Sequence, residues 1–186
     1  KIYAPGIDCA FTRHPVLEPS FLYGGFPPKD LRCKFLLAQE SDAQELTEQN
    51  IPDGFEIIKL PGHFFDMVGF RTSDYIVFLA DCLSSRKILE KYQIGFIYDV
   101  AAYLHTLEMV KILEAKIFVP SHTEITDDIS ALAQYNIDKV NEIAEKILGL
   151  CGEPRTFENI LQNLFAEYKL TMNLEQHVLV GSTVRS

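Results

Sequence analysis

The stretch Phe55-Glu56-Ile57-Ile58-Lys59-Leu60-Pro61-Gly62-His63 decides how this chain reads. An apolar run with strand character ends at Leu60, a Pro-Gly pair stops it, and a histidine stands directly beyond. The arrangement returns twice: Phe78-Leu79-Ala80 leads into Asp81-Cys82, and Phe118-Val119-Pro120-Ser121 leads into His122. Strand ends are rigid supports, and the loops leaving them commonly carry functional groups. Two imidazoles and a carboxylate presented in this way form a metal-ligating set. Three ligands hold a metal only weakly, and a two-metal site needs more. The expectation is that the chain holds one half of a metal site and that the other half lies outside it.

Taken singly, each residue has a bland reading. His63 and His122 could be ordinary loop histidines, and Asp81 could terminate a strand or cap the segment from Leu83 onward. Their order is more specific, with a hairpin between the first two and a helix and a strand before the third.

Working outward, strands are expected at 34–37, 55–60, 67–72, 75–80 and 116–119, with a tight hairpin at Ser73-Asp74. A helix is expected over 99–114, where Ala102, Leu104, Leu107, Val110 and Leu113 recur at helical spacing. Thr126-Asp127-Asp128 reads as the cap of a long helix reaching 150, with Ile129, Leu132, Ala133, Ile137, Val140, Ala144 and Ile147 on one face. After a break at 149–154, Thr156 caps a third helix through 168, and 175–186 reads as a last short one. Residues 1–33 are punctuated by Pro5, Pro15, Pro19, Gly24-Gly25 and Pro27-Pro28. They read as a short strand followed by an irregular, aromatic-rich loop. A junction near Cys151-Gly152 divides a main domain, 1–150, from a helical appendage, 151–186.

The 186 residues suffice for one domain with such an appendage. A net charge of −9 argues against tight non-specific binding to nucleic acid or anionic membranes. No Cys-x-x-Cys pair occurs among Cys9, Cys33, Cys82 and Cys151, which excludes a zinc ribbon and a thioredoxin motif. The cysteines read as reduced thiols of a cytoplasmic protein. No signal peptide is expected, and no run is long enough to span a membrane. The opening Lys1-Ile2-Tyr3-Ala4-Pro5 reads as the middle of a larger gene product.

With these residues in place, the chain resembles the metallo-β-lactamase-fold superfamily over roughly 34–150. Members commonly carry Pro-Gly-His after one strand, a hairpin ending in Gly-Asp, and a His after a later strand. The resemblance implies the second half of an αββα sandwich, with His63 on a first metal, Asp81 bridging both, and His122 on a second. It implies two zinc ions in the complete protein, with iron or manganese as alternatives, and hydrolysis of an ester, thioester, amide or phosphodiester in a small-molecule substrate. Two departures stand out. Ala80 occupies a place where the family often has Gly. The family's His-x-His-x-Asp-His motif is absent, and His14, His105 and His177 do not replace it. His105 reads as a helix residue and His177 lies in the appendage. His14 stays open, because the aromatic-rich loop around it could line a substrate pocket. The tail from Thr156 resembles a winged-helix appendage cut before its wing, against a plain helical hairpin as the alternative. Its only basic residues from 153 onward are Arg155, Lys169 and Arg185, too few to indicate nucleic-acid binding.

The missing motif normally lies N-terminal to everything present here, so the chain reads as a truncated fragment, ahead of a homologue that lost its metal site. Alone it is expected to be inactive, its open surface covered by a companion polypeptide carrying the first half or by self-association. The competing reading is a non-catalytic binding or regulatory module of the same fold, in which His63, Asp81 and His122 are merely structural.

Overall fold

The runs marked by Ile57-Ile58, Phe70 and Val77-Phe78 pair side by side, and everything else is arranged around them. The computed structural model describes residues 1–32 and 37–186. In chain order, β1 (Tyr3–Ala4), α1 (Gly6–Arg13) and α2 (Leu17–Leu22) are followed by a 3₁₀ turn (Lys29–Leu31) and β2 (Gln44–Glu45). Then come β3 (Phe55–Lys59), β4 (Val68–Thr72), β5 (Ile76–Ala80), α3 (Arg86–Tyr92), α4 (Val100–Lys111) and β6 (Ile117–Pro120). Helices α5 (Ser130–Leu150), α6 (Phe157–Glu167) and α7 (Leu174–Arg185) complete the chain. Strands β1 and β2 form a small parallel pair. Strands β3, β4, β5 and β6 form one sheet in that order, antiparallel except for the parallel β5–β6 pair. Helices α3 and α4 make the crossover that a parallel pair requires. Among the described residues, no helix is long and apolar enough to cross a membrane.

One face of the sheet is buried under α4 and α5. Ile58, Leu60, Val77, Leu79 and Phe118 form a core with Tyr103, Leu107, Val110, Ile137 and Val140. Among the described residues the other face is only partly covered. Directly paired residues point to the same side, and the register pairs Ile57 with Phe70, Phe70 with Phe78, and Phe78 with Val119. An apolar row thus crosses all four strands. Beside it Phe55 is 43% exposed and Ile117 38%, and Phe78, on an inner strand, is 40% exposed. The α6 and α7 helices close a second cluster, Leu161, Leu164, Phe165 and Val180 packing on Ile94 and Ile143.

Four helices carry the caps their sequences suggest. The side chains of Ser85, Asp99, Thr156 and Asn173 accept from the backbone amides of Ile88, Ala102, Asn159 and Gln176. The expected cap at Thr126-Asp127-Asp128 is met by Asp128: α5 starts at Ser130 after Ile129, and Asp128 Oδ1 accepts from the Ser130 amide at 2.8 Å. Thr126 bridges to Phe118, extending the sheet edge. The irregular reading of 1–33 is corrected, since α1 and α2 lie there. Proline needs no amide donor in a first helical turn. Pro5 is the N-cap of α1 and Pro19 stands in the first turn of α2, so both open helices that they were expected to break. The strand expected at 34–37 falls, apart from Leu37, outside the described residues. Cys9, Cys82 and Cys151 are free thiols.

Helix α1 is anchored by two carboxylates. The Ile7 amide donates to Asp66 Oδ2 at 2.7 Å, and the Asp66 amide donates to Asp8 Oδ1 at 3.2 Å. Burial pushes the Asp8 carboxyl up to about 6; the Asp66 amide opposes this and the Asp66 carboxylate adds to it. A carboxyl whose folded pKa lies above its unfolded value binds its proton more tightly in the folded state. Its contribution is complete below the ordinary value of 3.8 and is lost as pH rises through about 6. Asp8→Asn, which keeps an acceptor for the Asp66 amide, is expected to raise the urea midpoint above pH 6 and leave it unchanged below 3.8. An equal change at both pH values would contradict this origin.

Candidate metal centre

The strand directions gather the three candidate ligands. Strands β3 and β5 are each antiparallel to β4, and β6 is parallel to β5, so β3, β5 and β6 all end on the same side of the sheet. His63, Asp81 and His122 stand in the loops that leave those three ends, beyond Lys59, Ala80 and Pro120. The Ser121 amide donates to the Ala80 carbonyl at 3.1 Å, tying the last two loops together. His63 Nε2 lies 4.0 Å from Asp81 Oδ2, and His122 Nε2 lies 3.4 Å from Asp81 Oδ1. Each imidazole faces its own carboxylate oxygen.

The Pro-Gly-His signal has a steric basis. Gly62 has φ +120°, and a Cβ built there would stand 2.3 Å from the Tyr103 amide nitrogen. Its carbonyl accepts from the amides of Tyr98 and Asp99 at 2.9 and 3.0 Å. Only a glycine lets the loop lie this close to the first turn of α4 and still aim the next side chain at Asp81. Ala80 has φ +48°, at the register shift between Phe78 and Ala80. Glycine adopts this left-handed backbone freely, whereas alanine holds it at a cost of roughly 1 kcal/mol. That accounts for the glycine often found at this place in the resembled family.

The centre is open to solvent, with side-chain exposures of 30% for His63, 39% for Asp81 and 52% for His122. Burial lowers the His63 pKa from the ordinary imidazole value, and the His122 ring adds to this. The Asp81 charge and a hydrogen bond to the Phe96 backbone oppose it. The net effect favours a neutral imidazole, the form that ligates metals. Cys82 is unlike its neighbour: it is buried, and its thiol is pushed up to about 12, mainly by burial and then by the Asp81 charge. It remains a protonated core residue.

The loop after Asp81 is clamped from α5. Asn136, 1% exposed, accepts from the Ser84 amide and donates to the Ser84 carbonyl, both at 2.9 Å. The buried Tyr103 hydroxyl lies 3.3 Å from Asn136 Oδ1. Sequence reading did not single out Asn136 or Phe96. Asn136 sits on a helix with no motif around it, and Phe96 sits in a loop far from His63 in sequence. Phe11 and Phe21, from the segment expected to be irregular, pack on Phe65 at centroid distances of 5.1 and 5.4 Å, beside the His63 loop. His14 itself lies apart, exposed in a surface groove with Glu40 and Asp42. His105 is exposed on α4, and His177 lies in α7.

Among the described residues, no three His, Cys, Asp or Glu side chains are grouped as the ligands of one ion. What exists is two imidazole–carboxylate pairs sharing Asp81. That donor set suits two ions bridged by a carboxylate, with further ligands required from elsewhere.

No protein-family model matches the chain, and no curated protein matches it. Solved structures do. A metallo-beta-lactamase family protein from Thermus thermophilus is similar at 14% identity and a TM-score of 0.67, over 98% of this chain and 64% of that one. A beta-lactamase domain protein from Burkholderia ambifaria is similar at 12% identity and a TM-score of 0.68, over 99% of this chain and 57% of that one. The chain thus spans less than two thirds of either structure's length. Likeness at this identity concerns the fold, and together with the sheet order and the helical C-terminal part it establishes that the chain has the metallo-β-lactamase fold.

Proposed function

We propose that the chain contributes half of the two-metal centre of a hydrolase. His63 would hold a first ion and His122 a second, with Asp81 serving both. The observation that carries this reading is the placement of the two imidazoles on opposite oxygens of one carboxylate, at 4.0 and 3.4 Å. Imidazole and carboxylate donors suit zinc, and also iron or manganese. A pair of divalent ions supplies the chemistry of such a centre by lowering the pKa of water and by countering negative charge that develops on a carbonyl or phosphoryl oxygen.

This chain's residues prepare that chemistry. His63 is held neutral, its ring backed by Phe96. Asp81 is steadied through the Asn136 clamp on the loop beyond it. The exposed side of His122 leaves the centre accessible to a small-molecule ester, thioester, amide or phosphodiester. The remaining ligands would come from the first half of the fold, carried upstream in a longer form of this protein or on a companion polypeptide, whose sheet would cover the Ile57–Phe70–Phe78–Val119 row. The free thiols accord with a cytoplasmic setting.

The test is a metal titration with a thioester and phosphodiester panel. Alone, the chain is expected to bind zinc weakly and to turn nothing over. Adding a polypeptide that carries a complementary sheet and a His-x-His-x-Asp-His motif is expected to bring two ions and turnover. Asp81→Asn is expected to lower affinity by more than the roughly 10- to 100-fold typical of losing an outer-shell partner. Two-ion binding unchanged by Asp81→Asn would contradict the assignment.

A further inference from the structure

The last helix of the chain reaches the loop that backs His63. Thr183, 7% exposed on α7, accepts a hydrogen bond from the Ile97 amide at 2.8 Å and donates to the Gly95 carbonyl at 2.8 Å. Those two groups bracket Phe96. The Phe96 ring stands edge-on to the His63 imidazole, with centroids 5.7 Å apart and planes at 83°. Three residues beyond Thr183, Ser186 Oγ accepts from the Val100 amide at 2.9 Å. From the opposite side the Gly62 carbonyl holds the amides of Tyr98 and Asp99. The loop is thus gripped from both sides, and on one side the grip comes from α7 and from Ser186 directly beyond it.

We propose that Thr183 is a positioning residue of the metal centre: by clamping Gly95 and Ile97 it holds Phe96 against His63 and keeps Nε2 of that ring aimed at Asp81. The inference rests on the reading of His63 as a ligand and extends it, because it makes the C-terminal helical unit part of the scaffold of the centre. The physical reason is the usual one for ligating histidines. A ring with one nitrogen committed to a neighbouring carbonyl presents the other as a lone pair in a set direction, and loss of that support typically weakens metal binding about 10- to 100-fold. The Phe96 residue is the group placed to play this part, since its ring already stands edge-on to the His63 imidazole. Thr183 acts one step behind it.

The experiment compares Thr183→Val, which removes the hydroxyl at nearly constant shape, with Thr183→Ser, which keeps it, and with Val180→Ala, which loosens the same helix where it packs on Ile94 but keeps the hydroxyl. The first readout is the long-range nitrogen–proton correlation of the His63 ring in the metal-free full chain, which reports its tautomer. The second is zinc affinity. Thr183→Val is expected to replace a single His63 tautomer by an averaged signal and to weaken zinc binding about 10-fold. Thr183→Ser and Val180→Ala are expected to keep the wild-type ring signals, even where Val180→Ala lowers the unfolding midpoint. If the valine variant cannot be purified, Thr183→Ala gives the same readout. Wild-type ring signals in Thr183→Val, or an equal disturbance in Val180→Ala, would overturn the proposal. The two readings separate cleanly. If zinc shifts neither His63 nor His122 in the wild-type chain while Thr183→Val still scrambles the His63 ring, the ligand assignment falls and the clamp stands.

Discussion

Gly62→Ala is expected to cost the chain about 2–6 kcal/mol of stability, combining backbone strain of about 1–3 kcal/mol with overpacking of about 1–3 kcal/mol. The new Cβ would stand 2.3 Å from the Tyr103 nitrogen and 2.4 Å from its Cα. Those are backbone atoms of α4 and cannot rotate away as a side-chain tip could. Either the loop lifts, breaking the bonds from Tyr98 and Asp99 to the Gly62 carbonyl, or α4 shifts on the sheet. Both responses move His63 away from Asp81. Single domains are stable by only about 5–15 kcal/mol, so the variant should unfold at much lower urea or fail to accumulate. Its surviving folded fraction should show His63 ring signals unlike those of the wild type. A urea midpoint within error of the wild type would show that the loop accommodates a side chain, and with that the steric account of Pro61-Gly62-His63 would fail.

Purified alone, the chain is expected to self-associate through the partly covered sheet face. Soluble monomers seldom leave a broad apolar patch exposed. Here Ile57, Phe70, Phe78 and Val119 align across all four strands, with Phe55 and Ile117 beside them. Covering a phenylalanine side chain is worth about 1.5–3 kcal/mol. Phe78→Lys should therefore weaken association by roughly 10- to 100-fold. The opposite face, with Val77 and Leu79 under the helices, is untouched by that change, so the variant should keep its unfolding cooperativity. Light scattering across a concentration series reads the effect. A wild-type chain that stays monomeric at high concentration and unfolds cooperatively would contradict this account of the face and favour a self-sufficient fold. A complementary sheet that binds and suppresses association would instead identify the occupant we propose.

Legibility in the sequence scales with the length of each signal. Runs such as Phe55 to Lys59 and Ile76 to Ala80 announce strands by apolar content, and the α4, α5 and α6 segments announce helices by spacing. The three ligand candidates stood out because each comes after a strand end, and the sheet order turns that shared placement into proximity. Short elements escaped. Helix α3 has seven residues, too few for periodicity to show. Strand β2 is two residues long and exists only through its pairing with β1. Helices α1 and α2 were concealed by prolines whose position in a first turn is compatible with a helix. The supports of the site were silent for another reason. Asn136 and Thr183 act on backbone groups 52 and 86 residues away in sequence, and nothing local records such partners.

The most direct test of the half-site is paramagnetic. Manganese(II), titrated in substoichiometric amounts into the chain, broadens nuclear signals near any ion-binding position, even a weak one. The account predicts early, selective broadening at His63, Asp81 and His122 and their loops, lost in Asp81→Asn while the remaining spectrum is preserved. Broadening that instead begins at other acidic surfaces, such as Asp8 and Asp66, and is indifferent to Asp81→Asn would contradict the claim that these three strand-end residues form one half of a metal centre.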